Sequence, residues 1–218
     1  MSAPGPAVLV MARAPSPTRA DSALENWLGT DRTARLRAAL LQRAAGWAAR
    51  TAPGAAFVAF EPAEARDEVG RLLPPGVEGL AQTTGPRAGR VEAAARHVLE
   101  VTRAPVIIVD ANLPALTDYH AVAARSDLRT GCEVVLGVAI GGGLYLLGVR
   151  SPQPELFALV GAEHDGETTR RQARSVTDGL GLEVGMLHYE RALVTPQDAR
   201  AMLADPLLPE DVAGALRH

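Results

Sequence analysis

Short apolar runs alternate along this chain with longer stretches of helical periodicity, and that alternation restricts the fold more than any other feature. The runs are "AVLVMA" (7–12), "AAFVAF" (55–60), "VIIVD" (106–110), "VVLGVA" (134–139), "LYLLGV" (144–149) and "EVGMLH" (183–188). Between and beyond them, 31–50, 62–73, 88–102, 117–129, 153–160, 167–180 and 196–204 read as helices. Strands this uniformly apolar are buried on both faces, which calls for a mostly parallel sheet with helices on either side. One pair departs from the rule. Runs 134–139 and 144–149 are too close for a crossover helix, so they form a hairpin or a bent strand and place an antiparallel element in the sheet. Run 106–110 is expected at the centre. The segments "PSPT", "LPPGVEG" and "TTGPRAG" read as loops. With 218 residues, no internal repeat and no long linker, we expect one α/β domain over 1–218.

Charge and composition exclude several classes of function. The chain is 47% hydrophobic and 22% charged, as a folded domain is. Its net charge of −3 offers no basic face, so no nucleic-acid partner is expected. All 22 cationic residues are arginine, which removes lysine as a base or a phosphate-binding point charge. The single cysteine, Cys132, excludes an intramolecular disulfide and a cysteine zinc site, and is expected to be a buried, inert thiol. The opening "MSAPGPAVLVMARAP" lacks the pattern of a signal peptide, and no run approaches the roughly 20 apolar residues that span a bilayer. A cytoplasmic protein without a membrane partner is therefore expected.

Several stretches could carry chemistry. In an open α/β sheet, ligands bind beyond the carboxyl ends of the strands. Run 106–110 ends there in "DAN", offering Asp110 and Asn112. The loop after the first run carries Arg13 and Arg19, whose guanidiniums suit phosphates; solvated surface arginines are the plainer alternative. Gly141, Gly142 and Gly143 permit close approach of a ligand or simply make a tight turn. "EHDGE" (163–167) holds His164, Asp165 and Glu167, a possible metal cluster, though a polar loop capping the next helix suits it better. "VTPQDA" (194–199) reads as a helix start, with Thr195 as N-cap and Pro196 at the first position. His97, His120 and His188 stand singly, without a partner that spacing identifies.

Taken in order, these stretches resemble a known family. "MARAPSPTRADSAL", "Q-TTGPRAGR", "VIIVDANLPALT", "GVAIGGGLYLLGV" and "LVTPQDA" are similar to the bacterial glycosyltransferase-A-like (GT-A) proteins called radical-SAM/selenodomain-associated transferases. Those are related in fold to the guanylyltransferases of molybdenum-cofactor and phospholactate metabolism. The resemblance runs from Val8 to about Leu203. It implies a Rossmann-like GT-A fold of the nucleotide-diphospho-sugar transferase type, and a nucleotide donor held with Mg²⁺ or Mn²⁺. Among polar positions Arg19, Gln82 and Arg90 match the family, and with Arg13, Asp110, Asn112 and Gly141–Gly143 they are the candidate ligand-binding residues.

The family's charged positions are filled differently here. Asp21, Ser22 and Ala23 stand where its opening loop carries Lys-Thr-Arg. Its acids are replaced by Pro86, Asn112, Ile140, Gly141 and Val194. Ile and Val offer no side-chain oxygen, and an amide lacks the charge that offsets the desolvation of a divalent ion. Asp110 could compensate as an oxygen ligand, or could cap the strand end through a backbone hydrogen bond. We expect no metal cofactor and no Mg²⁺ or Mn²⁺ binding near Asn112. The expectation is a transferase homologue without catalysis that binds a nucleotide, nucleotide-sugar or other metabolite, or partners another protein or its own copy. A metal-independent transferase using arginines against donor phosphates, and a purely structural protein with a filled pocket, are the alternatives.

Overall fold

The computed structural model describes residues 5–16, 23–162 and 165–217. Seven strands form one sheet in the order β3-β2-β1-β4-β6-β5-β7. The strands are β1 (Ala7–Arg13), β2 (Ala56–Glu61), β3 (Val77–Ala81), β4 (Val106–Asp110), β5 (Val134–Val138), β6 (Leu144–Val149) and β7 (Val184–Met186). The expected single-domain, Rossmann-like α/β architecture is present, with a mixed but mostly parallel sheet. β4 is the middle strand, and all five of its residues are buried. The 134–149 segment is the expected hairpin: β6 turns back antiparallel to β5 and presents its other edge, again antiparallel, to β4.

Helices cover both faces. They are α1 (Ala23–Leu28), α2 (Thr30–Thr51), α3 (Arg66–Gly70), α4 (Arg87–Thr102), α5 (Asp118–Thr130), α6 (Pro154–Phe157), α7 (Gly166–Leu180), α8 (Pro196–Leu203) and α9 (Glu210–Leu216). Leu41 and Trp47 of α2 join Ala121 and Leu128 of α5 in packing against Val10, Val58 and Ile107 on one face of the sheet. Val91 and Val98 of α4, with Phe157 of α6, pack against Leu9, Ile108 and Leu147 on the other. The alternation along β1 and β4 feeds successive residues to opposite cores, which is why those strands read as continuous apolar runs.

Four stretches depart from the sequence reading. β3 lies in part of what reads as the "LPPGVEG" loop. It is an edge strand, only partly buried, so it carries little apolar signal. A side chain at its Gly79 would crowd Leu73 at 3.3 Å and touch Phe60 at 3.5 Å. α1 and α9 were not expected either. They join α2 and α8 in a third cluster through Leu24, Leu28, Leu36, Met202, Val212 and Leu216. The stretch 62–73 is shorter than one helix, a 3₁₀ turn at Ala63–Ala65 followed by α3. Among the described residues, no helix is long and apolar enough to cross a membrane.

Candidate functional site

Parallel strands β1 and β4 are neighbours in the sheet, yet β1 connects onward to β2 on its other side. Such a reversal leaves a crevice at the carboxyl ends of the two strands. A cleft of about 510 Å³ opens there. Arg13 enters it from the end of β1, and Asp110 with Asn112 from the end of β4. Gly141 and Gly142 line it from the β5–β6 turn, Gly161 from the loop after α6, and Thr195 with Asp198 from the start of α8. The opening loop reaches the same cleft at Arg13 and Ala23; Arg19 lies outside the described residues.

Asp110 is fully engaged. Its Oδ2 pairs with the guanidinium of Arg87 at the start of α4, and its Oδ1 accepts the Asn112 N–H at 3.0 Å. The side chain of Asp110 is 9% exposed and that of Arg87 32%. Arg87 is oriented from behind, since its Nε donates to the Val160 carbonyl at 2.9 Å. Gly161 follows with φ +59°, and any side chain there would collide with both members of the pair. The strand ends at Asp110, so Asn112 sits in the turn and gives its backbone, not its amide, to the carboxylate. The capping alternative for Asp110 therefore describes its Oδ1. Arg87 is the residue that reading the sequence missed; it stands in the quoted "TTGPRAGR", with no local feature that points to a partner twenty-three positions on.

The other acids are similarly occupied. Asp198 is buried; its Oδ1 accepts from Arg191 at 2.9 Å, and its Oδ2 accepts from the N–H and Oγ1 of Thr195 at 3.0 and 2.8 Å. Thr195 is the expected N-cap of α8. Glu25 of α1 pairs with Arg37 and, at 3.3 Å, with Arg13. Asp165 caps α7 by accepting the Thr168 N–H; hydrogen bonding from the Thr168 side chain, then from its backbone, holds the carboxyl below the usual range. His164 lies outside the described residues. Ile140 and Val194 are exposed apolar side chains, 50% and 40% accessible. Gly143 lies beneath the cleft, where its N–H donates to Thr169 Oγ1 at 2.9 Å. At φ +74° a side chain there would meet the Ala162 backbone at 2.7 Å, so the glycine is a packing requirement as well as a turn.

Gln82 and Arg90 are placed differently from Arg13. The Gln82 Nε2 donates to the carbonyls of Ala12 and Ala59, stitching the ends of β1 and β2 together. Arg90 pairs with Glu61 at 3.1 Å and donates to the Gly85 carbonyl at 3.2 Å. Neither lines the cleft. Cys132 is half-buried, not buried as expected; burial, then the carboxylates of Asp127 and Glu183, push its thiol up, which keeps it protonated at neutral pH.

Behind the cleft, the structure brings together two histidines that the sequence leaves apart. His120 and His188 meet at Glu190. Burial pushes His120 down from its ordinary 6.5, with Glu190 opposing and His188 adding to the shift. Tyr145 is buried beside them and donates to the His188 carbonyl at 2.9 Å. Burial raises this phenol well above its ordinary value near 10. A folded pKa above the unfolded one means that the unfolded chain releases the proton first as pH rises. Stability from this group is complete below pH 10 and declines above it. Alkaline titration followed at the tyrosinate absorbance is expected to show Tyr145 ionising only as the protein unfolds; ionisation in the intact fold would contradict this.

Comparison with solved structures agrees with this fold. A candidate nucleotide-diphospho-sugar transferase from Desulfovibrio desulfuricans is similar at a TM-score of 0.78 and 22% identity, covering 99% of this chain and 95% of that one. A cytidylyltransferase from Leptospira borgpetersenii is similar at 0.55 and 11%, covering 96% and 90%. A 4-diphosphocytidyl-2C-methyl-D-erythritol synthase is similar at 0.52 and 16%, covering 90% and 97%. These likenesses define an α/β protein of the nucleotide-diphospho-sugar transferase fold. The chain belongs to the family described as "Uncharacterized protein conserved in bacteria (DUF2064)", matched over residues 44–162. No curated protein matches it in sequence.

Proposed function

We propose that this protein binds a nucleotide or nucleotide-sugar in the β1/β4 cleft without a divalent cation and without catalysing transfer. The observation that carries this reading is the Arg87–Asp110 pair. At the strand end where an acid could hold a metal, a guanidinium already compensates the carboxylate, and the pair lies against Gly161, where any side chain would collide with both. An ion at Asp110 would have to displace that guanidinium, and the Arg87 charge would lose its carboxylate. The oxygens of Asp198 are likewise taken. The replacement of the family's acids by Ile140, Gly141 and Val194 is read as loss of the metal set, consistent with the exposed apolar rim. Two of the similar structures are, by name, a cytidylyltransferase and a 4-diphosphocytidyl-2C-methyl-D-erythritol synthase, which supports a nucleotide as the ligand class.

Electrostatics narrow the ligand. Among the described cleft residues, the guanidiniums of Arg13, Arg37 and Arg87 each face a carboxylate. A triphosphate would find little uncompensated positive charge, so a ligand carrying fewer charges suits the cleft better. A thermal-shift series with nucleosides, nucleotides and nucleotide-sugars tests this, run with Mg²⁺ and with EDTA. The expected result is a shift of the same size in both conditions and no consumption of ligand. Stabilisation seen only with Mg²⁺, or turnover of a nucleotide donor with or without it, would overturn the proposal.

A further inference from the structure

His120 sits in the first turn of α5, while His188 and Glu190 follow the end of β7, two residues apart. Their ligand atoms all lie within 4.8 Å of one another. The His188 Nε2 is 2.7 Å, and the His120 Nε2 3.3 Å, from the same Glu190 oxygen. The His120 side chain is only 2% exposed. Among the described residues its Nε2 finds no hydrogen-bond partner, although the Glu190 carboxylate is 3.3 Å away. A buried ring nitrogen left without a partner is costly, and this one lies within reach of two other metal-ligating groups.

We infer that His120, His188 and Glu190 form a binding site for one divalent cation of the zinc class, separate from the nucleotide cleft. Two imidazoles and a carboxylate suit a borderline-soft ion and leave a fourth position for water or a small ligand. Mg²⁺ prefers near-octahedral oxygen ligands and is poorly served by such a set. A tetrahedral ion with bonds of about 2.0–2.1 Å separates its ligand atoms by about 3.3 Å. The His120–Glu190 spacing of 3.3 Å already meets that figure. His188, with a side chain 51% exposed, has room to move outward from 2.7 Å.

The surroundings supply what such a site needs. The His120 Nδ1 lies 3.1 Å from both Thr117 Oγ1 and the Thr117 N–H. With a cation on Nε2, Nδ1 carries the proton and donates to Oγ1, releasing the backbone N–H it otherwise accepts. That hydrogen bond fixes the tautomer and the ring, as partners of metal-bound histidines do. Tyr119 packs on His188 with ring centres 4.7 Å apart, and Tyr145 stands edge-on to His120 at 5.8 Å. Tyr145 also lines the cleft, so the two sites share one wall.

The full chain, stripped with EDTA, is titrated with Zn²⁺ by calorimetry and with Co²⁺ by visible absorption. One equivalent of Zn²⁺ is expected to bind and raise Tm, and Co²⁺ to give the intense visible band of four-coordinate cobalt. His188→Ala and Glu190→Gln change partly exposed side chains, and circular dichroism confirms that each still folds. Both are expected to weaken binding at least ~100-fold and to abolish the cobalt band, while Thr117→Val weakens it about 10–100-fold. Nucleotide binding is read separately in the same variants, so failure of one site is distinguished from failure of the other. Absence of Zn²⁺ binding by the wild type, or binding that survives both ligand substitutions, would overturn the inference.

Discussion

Replacing Arg87 with alanine is expected to lower the unfolding free energy by about 2–3 kcal/mol, more than the loss from Asp110→Asn. Breaking a fully buried ion pair by removing one partner costs about 3–5 kcal/mol, because the remaining charge is stranded. Arg87 is about a third exposed, so solvent screening reduces that figure. Asp110 is not: at 9% side-chain exposure it would keep only the Asn112 N–H as a partner. The reverse change leaves a guanidinium on a flexible stem that reaches water, while the asparagine oxygen can still accept from Asn112, so about 1 kcal/mol is expected there. Arg87→Lys should recover the charge but not the bond to the Val160 carbonyl, and fall between. Urea denaturation of the three variants measures the order. If Asp110→Asn proved as costly as Arg87→Ala, the pair would not be what compensates the acid.

Trp47→Ala is expected to cost about 3–5 kcal/mol, the usual range for truncating a fully buried aromatic. Trp47 is 1% exposed in the core between α2 and the sheet. Its Nε1 donates to the Thr117 carbonyl at 2.9 Å, tying α2 to the start of α5. Truncation therefore opens a cavity and also loosens the turn that carries His120. Trp47→Phe keeps most of the packing, leaves the Thr117 carbonyl unpaired, and should cost about 1–2 kcal/mol. Denaturant midpoints with unchanged slopes would confirm that both effects act on the native state. A loss below about 1 kcal/mol for Trp47→Ala would mean that the core there collapses to fill the space, contrary to the close packing around the indole.

The sequence by itself determined most of the sheet. Residues 7–12, 106–110 and 134–149 read as buried strands, and the short spacing within the last of these forced an antiparallel pair, because hydrophobic periodicity and connection length are local properties. Edge strand β3 and helices α1 and α9 escaped that reading: one is only partly buried, and the others gain their apolar partners from distant segments. The cleft was legible in outline, since Asp110, Asn112, Gly141 and Gly142 mark strand ends and a turn, and the same topology brings them together with Arg13. Which charges meet there was decided only by tertiary structure. Gln82 and Arg90, expected among the ligand-binding residues, serve the strand ends, whereas Arg87, with no local signal, compensates Asp110. His188 and Glu190 lie two residues apart beyond the end of β7, but His120 lies about seventy residues earlier, so spacing identified no partner for either histidine. Side-chain chemistry at a site depends on distances through space. A sequence fixes such distances only through the packing of the whole sheet, which sets β7 beside β5 and brings the start of α5 against them.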